Sequence, residues 1–217
     1  MRTMSHIPVE YYGKRMHLGN VLMRSPNVSS PIIDLIGLSR SEADGFATAV
    51  LRMPSPARVI LLSVDSSPGD TSSLVRYYSK LEEIVRGSLE KNGLRVITLL
   101  TPAIIEELAP YASSRKKIFG SYPETPMPWC TGAEIVSRIA NWNTDEPADV
   151  IRVPHAFTAT VEQALGRLMG IDPKRFVYRH LSPDILADVY RQRGMSERDP
   201  QIADQLPYYQ YYIGHKS

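Results

Sequence analysis

Short apolar runs alternate along the chain with segments of helical periodicity, and this alternation predicts an α/β fold. Runs of Ile, Val and Leu without polar alternation are typical of strands buried on both faces of a parallel sheet. The predicted strands are Ile32–Leu38, Val59–Val64, Leu94–Leu100, Val150–Val153 and Phe176–Tyr178. The pattern therefore predicts a Rossmann-like, doubly wound and mainly parallel sheet of about five strands in a single domain.

Apolar residues at three- and four-residue steps place helices between these strands. The predicted helices are Glu42–Leu51, residues 71–92, Ala103–Tyr111, Thr131–Trp142, Phe157–Met169 and Pro183–Arg191. Ser39 ends the first apolar run and precedes the first of these helices. Because ligands bind at the carboxyl ends of strands in open α/β sheets, this turn is the first candidate for a functional site.

Length and composition agree with one soluble domain. The chain has 217 residues, of which 43% are hydrophobic, and its net charge is +2. We expect an N-terminal arm over residues 1–30 and the α/β domain over 31–217, with a tyrosine-rich tail after Pro207. No run of about 18 apolar residues and no apolar signal region occurs, so we expect a cytoplasmic protein without a membrane partner. The sequence makes no prediction of oligomeric state.

Several common site signatures are missing. The dinucleotide glycine fingerprint, the phosphate-binding loop and the Gly-x-Ser-x-Gly nucleophile turn are all absent. The only cysteine is Cys130, and the five histidines do not pair at metal-ligand spacing. We therefore predict no cofactor and no metal.

Ser39 has two interpretations at the end of its strand. Its hydroxyl can cap the following helix by accepting a backbone hydrogen bond. Alternatively it points into the crevice and acts as a nucleophile, which requires a base or an activated acyl donor.

A second short stretch lies near the N-terminus. His17-Leu18-Gly19-Asn20 resembles the nucleotide-binding signature of class I aminoacyl-tRNA synthetases. That signature follows a first strand, and the apolar pattern predicts none before His17, so the interpretation favoured here is an ordinary loop.

The stretch Leu35-Ile36-Gly37-Leu38-Ser39 resembles the start of the cyclodipeptide synthases. These enzymes make cyclic dipeptides from two aminoacyl-tRNAs on a Rossmann-like domain. The resemblance implies that Ser39 accepts the aminoacyl group as an ester, that Glu162 shuttles a proton and that Tyr178 positions the substrate. The candidate substrate contacts beside them are Gly37, Asp65, Thr158, Arg179 and His180.

The sequence departs from that family in four ways, one of which is the short spacing from Glu162 to Tyr178. Thr158 stands where the family has a tyrosine four residues before the glutamate, and Glu42 stands where an asparagine follows the serine. Tyr178 is followed by Arg179 rather than by histidine or proline.

Aminoacyl-tRNA is the partner that this resemblance implies. Basic residues that would face it lie on the long helix and in one basic run; they are Arg76, Lys80, Arg86, Arg115, Lys116 and Lys117. Because glutamates are interleaved along the helix, a solvated face with ion pairs is the alternative interpretation.

Two other functional classes fit the same first half. CRISPR-associated Rossmann domains, which bind cyclic oligoadenylates, also begin with a strand, a Gly-x-Ser turn and a helix. Arg175 and His180 have the Arg-x4-His spacing of the ribonuclease motif often fused to such domains. A nucleotide-binding module without catalysis is the third class.

Overall fold

A parallel sheet of five strands forms the centre of the computed structural model, which describes residues 10–25, 28, 30–54, 58–65, 73–108, 117–120, 122, 124–142, 149–181 and 185. The strands, in chain order, are β1 (Tyr11–Tyr12), β2 (Ile32–Asp34), β3 (Arg58–Val64), β4 (Arg95–Thr101), β5 (Ala103–Ile104), β6 (Lys117–Gly120), β7 (Met127–Cys130), β8 (Val150–Arg152), β9 (Phe157–Ala159) and β10 (Val177–His180). The helices are α1 (Met16–Met23), α2 (Arg40–Leu51), α3 (Ser73–Lys91), α4 (Gly132–Ala140) and α5 (Val161–Met169), with 3-10 turns at Ile105–Leu108 and Pro173–Arg175.

The central sheet has the order β1-β2-β3-β4-β8, and every pair in it is parallel. In register, Ile33 of β2 lies opposite Leu61 of β3, which lies opposite Thr98 of β4. The central strands β2, β3 and β4 are buried along almost their whole length. The predicted α/β class with a mainly parallel, Rossmann-like sheet is therefore confirmed.

Helices cover both faces of this sheet because alternate strand residues point to opposite sides. On one face, Ile32, Ile60 and Ile97 pack in a core with α1 and α4. On the other face, Ile33, Leu61 and Val96 pack in a second core with α2 and α3. The helices that follow the neighbouring strands β1 and β2 thus lie on opposite faces.

A third core lies beside the central sheet and contains two small sheets. One has the order β5-β7-β9 and the other pairs β6 with β10. Helix α5 buries Val161, Ala164 and Leu165 in this core. The indole Nε1–H of Trp129 donates to the carbonyl of Ala159 at 2.9 Å, which ties β7 to the end of β9.

Four predicted elements differ from the observed ones. The predicted fifth strand, Phe176–Tyr178, is β10 and pairs with β6 outside the central sheet. The first strand ends at Asp34, and Gly37 in the turn that follows has φ of 79°. The predicted helix over 103–111 is strand β5 followed by a 3-10 turn, as far as it is described. Residues 157–159 are a strand because Thr160, which forms a capping box, starts α5 only at Val161. The predicted helix over 183–191, apart from residue 185, and the tyrosine-rich tail lie outside the described residues.

The N-terminal stretch contributes to the sheet domain instead of forming an arm outside it. Tyr11 and Tyr12 pair with β2 at the sheet edge, and α1 buries Leu18 and Leu22 in the first core. These are the described residues 10–25 of the predicted arm over 1–30. A strand therefore does precede His17-Leu18-Gly19-Asn20, and those residues form part of α1 instead of a loop. Sequence periodicity missed both elements because β1 has only two residues and α1 only eight.

Candidate functional site

The carboxyl edge of the central sheet contains the turns after β1, β2, β3, β4 and β8. A crevice is expected where helices from neighbouring strands go to opposite faces. That condition holds between β1 and β2 because α1 packs in the first core and α2 in the second. Gly13 and Lys14 follow β1 here, and the turn containing Gly37 and Ser39 follows β2.

Ser39 lies in the turn where this crevice is expected and is the cap of α2. Its Oγ accepts the backbone N–H of Glu42 at 3.4 Å and donates to Oε2 of Glu42 at 2.8 Å. The backbone N–H of Ser39 donates to the same carboxylate at 2.8 Å, which completes a capping box. Of the two interpretations of Ser39, the structure shows the cap.

The carboxylate beside Ser39 is a weak base. The backbone N–H of Ser39 and the ammonium of Lys14 lower the pKa of Glu42 to about 2. Nζ of Lys14 lies 2.9 Å from Oε2 of Glu42, so an ion pair joins the turn after β1 to the first turn of α2. A carboxylate with so low a pKa takes little of the proton from a serine hydroxyl near neutral pH, so this arrangement does not activate Ser39.

The turn between β2 and α2 uses all its backbone donors internally. The donors and acceptors are Ile36 to Asp34 Oδ1 (3.2 Å), Gly37 to Tyr78 Oη (2.8 Å), Leu38 to the Leu35 carbonyl (3.1 Å) and Ser39 to Glu42 Oε2 (2.8 Å). Tyr77 adds a bond from its hydroxyl to the Leu38 carbonyl at 2.8 Å. The Gly37 N–H, which was a candidate substrate contact, is occupied by α3 because the Tyr78 ring is buried against the turn.

A buried ion pair fixes β1 to β2 beneath the crevice. Nε of Arg15 lies 2.6 Å from Oδ2 of Asp34, its Nη2 lies 2.8 Å from Oδ1, and both side chains are fully buried. The hydroxyl of Tyr11 donates to the same carboxylate at 2.6 Å. Burial, and then the negative charge of Asp34, raises the pKa of Tyr11 well above its usual value, so the phenol keeps its proton.

Two consecutive glutamates of the 3-10 turn after β5 reach two different helix N-termini. Oε1 of Glu107 accepts the N–H of Leu18 in α1 at 3.0 Å, and Oε1 of Glu106 accepts the N–H of Gly132 in α4 at 2.9 Å. Burial raises the pKa of Glu107, and the positive charge of Arg15 opposes this shift. Sequence reasoning placed these residues in an ordinary helix and missed the contacts, which join segments far apart in sequence.

Asp65, a candidate substrate contact, immediately follows β3 at the carboxyl edge. Its backbone N–H donates to the Thr101 carbonyl at 3.2 Å. Its Oδ1 lies 3.1 Å from Nη1 of Arg152 in an ion pair and accepts no hydrogen bond from the described residues. Burial raises the pKa of Asp65, whereas the charges of Arg152 and His155 lower it. Asp65 therefore presents a half-buried carboxylate whose exposed part, and not the buried Oδ1, can meet a ligand.

Glu162 and Tyr178 lie together in the third core and are not joined to Ser39. Oε1 of Glu162 accepts the backbone N–H of Tyr178 at 3.2 Å. Tyr178 is 2% exposed, and its hydroxyl donates to the Tyr122 carbonyl at 2.9 Å. The hydrogen bonds of Ser39 go instead to Ser41 and Glu42. The buried position of Tyr178 gives it a packing role.

The remaining candidate substrate contacts also belong to the small sheets. Thr158 and Arg179 are exposed on β9 and β10. Nδ1 of His180 lies 2.9 Å from the Tyr122 carbonyl, and its backbone N–H donates to Glu124. Arg175 is exposed at the end of a 3-10 turn, five residues before His180. None of these positions lies on the central sheet.

Some of the candidate tRNA contacts are exposed to solvent, whereas Arg86 is already bonded to other residues of the chain. Arg76 and Lys80 are exposed on α3. Arg86 instead joins α3 to β4: it pairs with Glu82 and Glu90 and donates to Oγ1 of Thr98 at 2.8 Å. These bonds make Arg86 a structural residue. Arg115 and Lys116 lie outside the described residues, as does the side chain of Lys117.

Within the described part of the chain, no group of three His, Cys, Asp or Glu residues is placed to hold a metal ion. None of the described helices combines the length and apolarity needed to cross a membrane. Sequence reasoning missed Arg15, Arg152 and His155. Asp34, the only charged residue in its apolar run, was the available signal that a buried partner exists.

Comparison with solved structures identifies the fold. A nucleoside-diphosphate-sugar epimerase from Staphylococcus aureus matches with a TM-score of 0.53 and 12% identity, over 96% of this chain and 72% of that chain. An NADPH-dependent quinone oxidoreductase from Escherichia coli, solved in complex with NADPH, matches with a TM-score of 0.52 and 14% identity, over 95% and 90% of the two chains. No protein-family model and no curated protein sequence matches. The similarity establishes a Rossmann-like fold.

Proposed function

We propose that this chain is a nucleotide-binding module of the Rossmann type, which holds the ribose of a nucleoside-containing ligand at Asp65. The observation that carries the proposal is a half-buried, partly exposed carboxylate at the carboxyl end of β3. In Rossmann folds, the first βαβ unit places an acidic residue at the end of its second strand, where it accepts ribose hydroxyl hydrogen bonds. Asp65 has the corresponding position in the second such unit of this chain, formed by β2, α2 and β3, because Asp34 at the end of β2 in the first unit is buried in its ion pair with Arg15.

The surroundings of Asp65 suit a polar ligand. Its carboxylate is 28% exposed, so a hydroxyl group can reach it from solvent. The positive charge of Arg152, whose side chain is 53% exposed, compensates the negative charge of Asp65, so the net charge of the pair is close to zero. A ribose has two adjacent hydroxyls that can donate to the exposed part of this carboxylate, whereas Oδ1 itself is buried and faces Arg152. The strand next to β3 on one side is β2, which also borders the turn after β1.

The ligands of the structural neighbours support the same class of ligand, one that contains a ribose. The quinone oxidoreductase binds NADPH, a ligand with two ribonucleosides, and its fold covers nearly all of this chain. The epimerase acts, by its name, on nucleoside-diphosphate sugars. Both ligands contain a ribose, which is the part that the proposal assigns to Asp65.

The test is binding of ribonucleosides, nucleotides and NADPH to the full chain, measured by isothermal titration calorimetry. The variant Asp65→Asn keeps the size of the side chain but removes the charge, and we expect it to weaken binding about tenfold, or roughly 1.4 kcal/mol. The matched control is Asp149→Asn, because Asp149 also pairs with an arginine, Arg95, but lies at the opposite edge of the sheet. Equal affinities for the two variants would contradict the proposal.

Aminoacyl transfer through Ser39 stays a prediction with its own test. Expression in bacteria, followed by analysis of the culture for cyclic dipeptides, compares the natural chain with Ser39→Ala. Because Ser39 caps α2, a matched cap variant, Thr131→Ala at α4, controls for lost stability. Product made by Thr131→Ala but not by Ser39→Ala would support the ester; product from both would exclude it.

A further inference from the structure

We propose that the crevice between β1 and β2 selects against phosphate, so that the ligand is a nucleoside, or a nucleoside derivative without phosphate at the N-terminus of α2. This inference rests on the proposed function and narrows its ligand class. It also separates this chain from the usual dinucleotide-binding arrangement, in which a pyrophosphate sits on backbone N–H groups at that helix end.

Backbone donors decide whether a phosphate fits there. A phosphate at a helix N-terminus needs free N–H groups, since they replace the hydrogen bonds that it makes with water. In the turn over residues 36–39, each of the four N–H groups already donates to an atom of the chain itself. Two of these acceptors, the Asp34 carboxylate and the Tyr78 hydroxyl, belong to buried side chains. Residues 36–39 cannot bind phosphate through their N–H groups without breaking these bonds, and the N–H groups of Arg40 and Ser41 in the first turn of α2 lie outside this set.

The negative charge of Glu42 also disfavours phosphate at the N-terminus of α2. The carboxylate of Glu42 lies at the N-terminus of α2, where a phosphate would sit, and the low pKa keeps it ionised. The ammonium of Lys14 is already paired with this carboxylate at 2.9 Å, and Arg40 in the first turn of α2 pairs with Asp44. A phosphate entering the crevice would have to displace Glu42 from both Ser39 and Lys14.

The N-terminus of the neighbouring helix, α1, is likewise occupied by a carboxylate of the chain. The N–H of Leu18 in the first turn of α1 donates to Glu107, a residue 94% buried. The N-termini of α1 and α2, the two helices that border the crevice, thus each hold a carboxylate of the chain. By contrast, the capping box of α5 in the third core uses the neutral amide of Gln163. A pyrophosphate held in the usual way by the turn after β2 would therefore have to displace these groups of the chain.

The experiment measures the affinities of the four ribonucleosides and of their 5′-monophosphates for the full chain by calorimetry. In the natural chain we expect each nucleoside that binds to bind at least tenfold more tightly than its monophosphate. The variant Glu42→Gln preserves the capping box, because glutamine also serves at that position, and it frees Lys14. We expect it to shift the ratio about tenfold toward the monophosphate.

Glu134→Gln is the matched control because Glu134 forms the same capping box with Thr131 at the start of α4. The control should leave the ratio as it is in the natural chain. Monophosphates that bind the natural chain as tightly as nucleosides would overturn this inference and leave the proposed function standing. An unchanged ratio in Glu42→Gln would overturn it as well. Absence of binding for every nucleoside and nucleotide would overturn both proposals.

Discussion

The two halves of the carboxyl edge differ in how they use their polar groups. In the closed half, the turns after β1 and β2, the buried Asp34 carboxylate and all four N–H groups over residues 36–39 have partners in the chain. In the open half, formed by Asp65, Arg152 and His155, the Asp65 carboxylate keeps an oxygen without a hydrogen bond.

This difference implies that the closed half stabilises the fold and that the open half is available for ligand binding. Buried polar groups that are fully paired hold a unique arrangement, and removing one partner is costly because the other stays buried. A half-buried carboxylate that pairs with an exposed arginine contributes little to stability, and its exposed part is available to a ligand. We therefore expect substitutions in the closed half to lower the free energy of unfolding, and substitutions in the open half to change binding.

The largest expected effect comes from the buried ion pair. Arg15→Met leaves the Asp34 carboxylate buried without its cation, and we expect the free energy of unfolding to fall by about 3–5 kcal/mol. Urea denaturation measures this change. Arg40→Met is the matched control because Arg40 makes an exposed pair with Asp44 at 3.9 Å, and its loss should cost at most about 0.5 kcal/mol. Similar costs for the two variants would show that the closed half is not held by this pair.

Removal of the Tyr78 hydroxyl is expected to have the next largest effect. Tyr78→Phe removes the acceptor of the half-buried Gly37 N–H, and the ring that remains beside it is buried, so we expect a cost of about 1–3 kcal/mol. Tyr77→Phe is the control: its hydroxyl bonds the same turn, but its ring is 43% exposed, so water can replace the bond. A larger loss for Tyr77→Phe would contradict the described role of Tyr78.

In the open half, Asp65→Asn is expected to change stability in the opposite direction. Burial raises the pKa of Asp65 above its unfolded value, so ionisation near neutral pH disfavours the folded state. The variant should be as stable as the natural chain at pH 7, or more stable by up to about 1 kcal/mol. As the pH falls through the raised pKa, the natural chain takes up its proton and this advantage disappears. Urea titrations at pH 7 and pH 4 compare the two; a clear loss of stability at pH 7 would contradict this expectation.

The smallest effect concerns Glu42. Its folded pKa of about 2 lies below the unfolded value of about 4.3, so its contribution is complete above that value and is lost as the pH falls toward 2. Because the side chain is 40% exposed, we expect a contribution of only about 0.5 kcal/mol. The stability gap between the natural chain and Glu42→Gln should close between pH 5 and pH 2. A gap that stays constant over this range would contradict the assignment.

Sequence reasoning succeeded where one local pattern decides the structure. The apolar runs around Ile33, Leu61 and Ile97 identified the central strands because burial on both faces leaves no polar alternation. It failed for β1 and for the site, since two-residue strands have no periodicity and contacts such as Glu107 to Leu18 join residues 89 positions apart. Asp65 was named as a contact, but its ion pair with Arg152 follows only from the sheet order.

The central claim is that a ribonucleoside binds at the end of β3. The most direct measurement is a titration of ¹⁵N-labelled protein with each ribonucleoside, followed by the amide resonances. The account predicts saturable shifts at Val64, Asp65 and His155, and none on the exposed face of α3 around Lys80. Shifts confined to α3 or to the third core, or no saturable shift with any nucleoside, would contradict it.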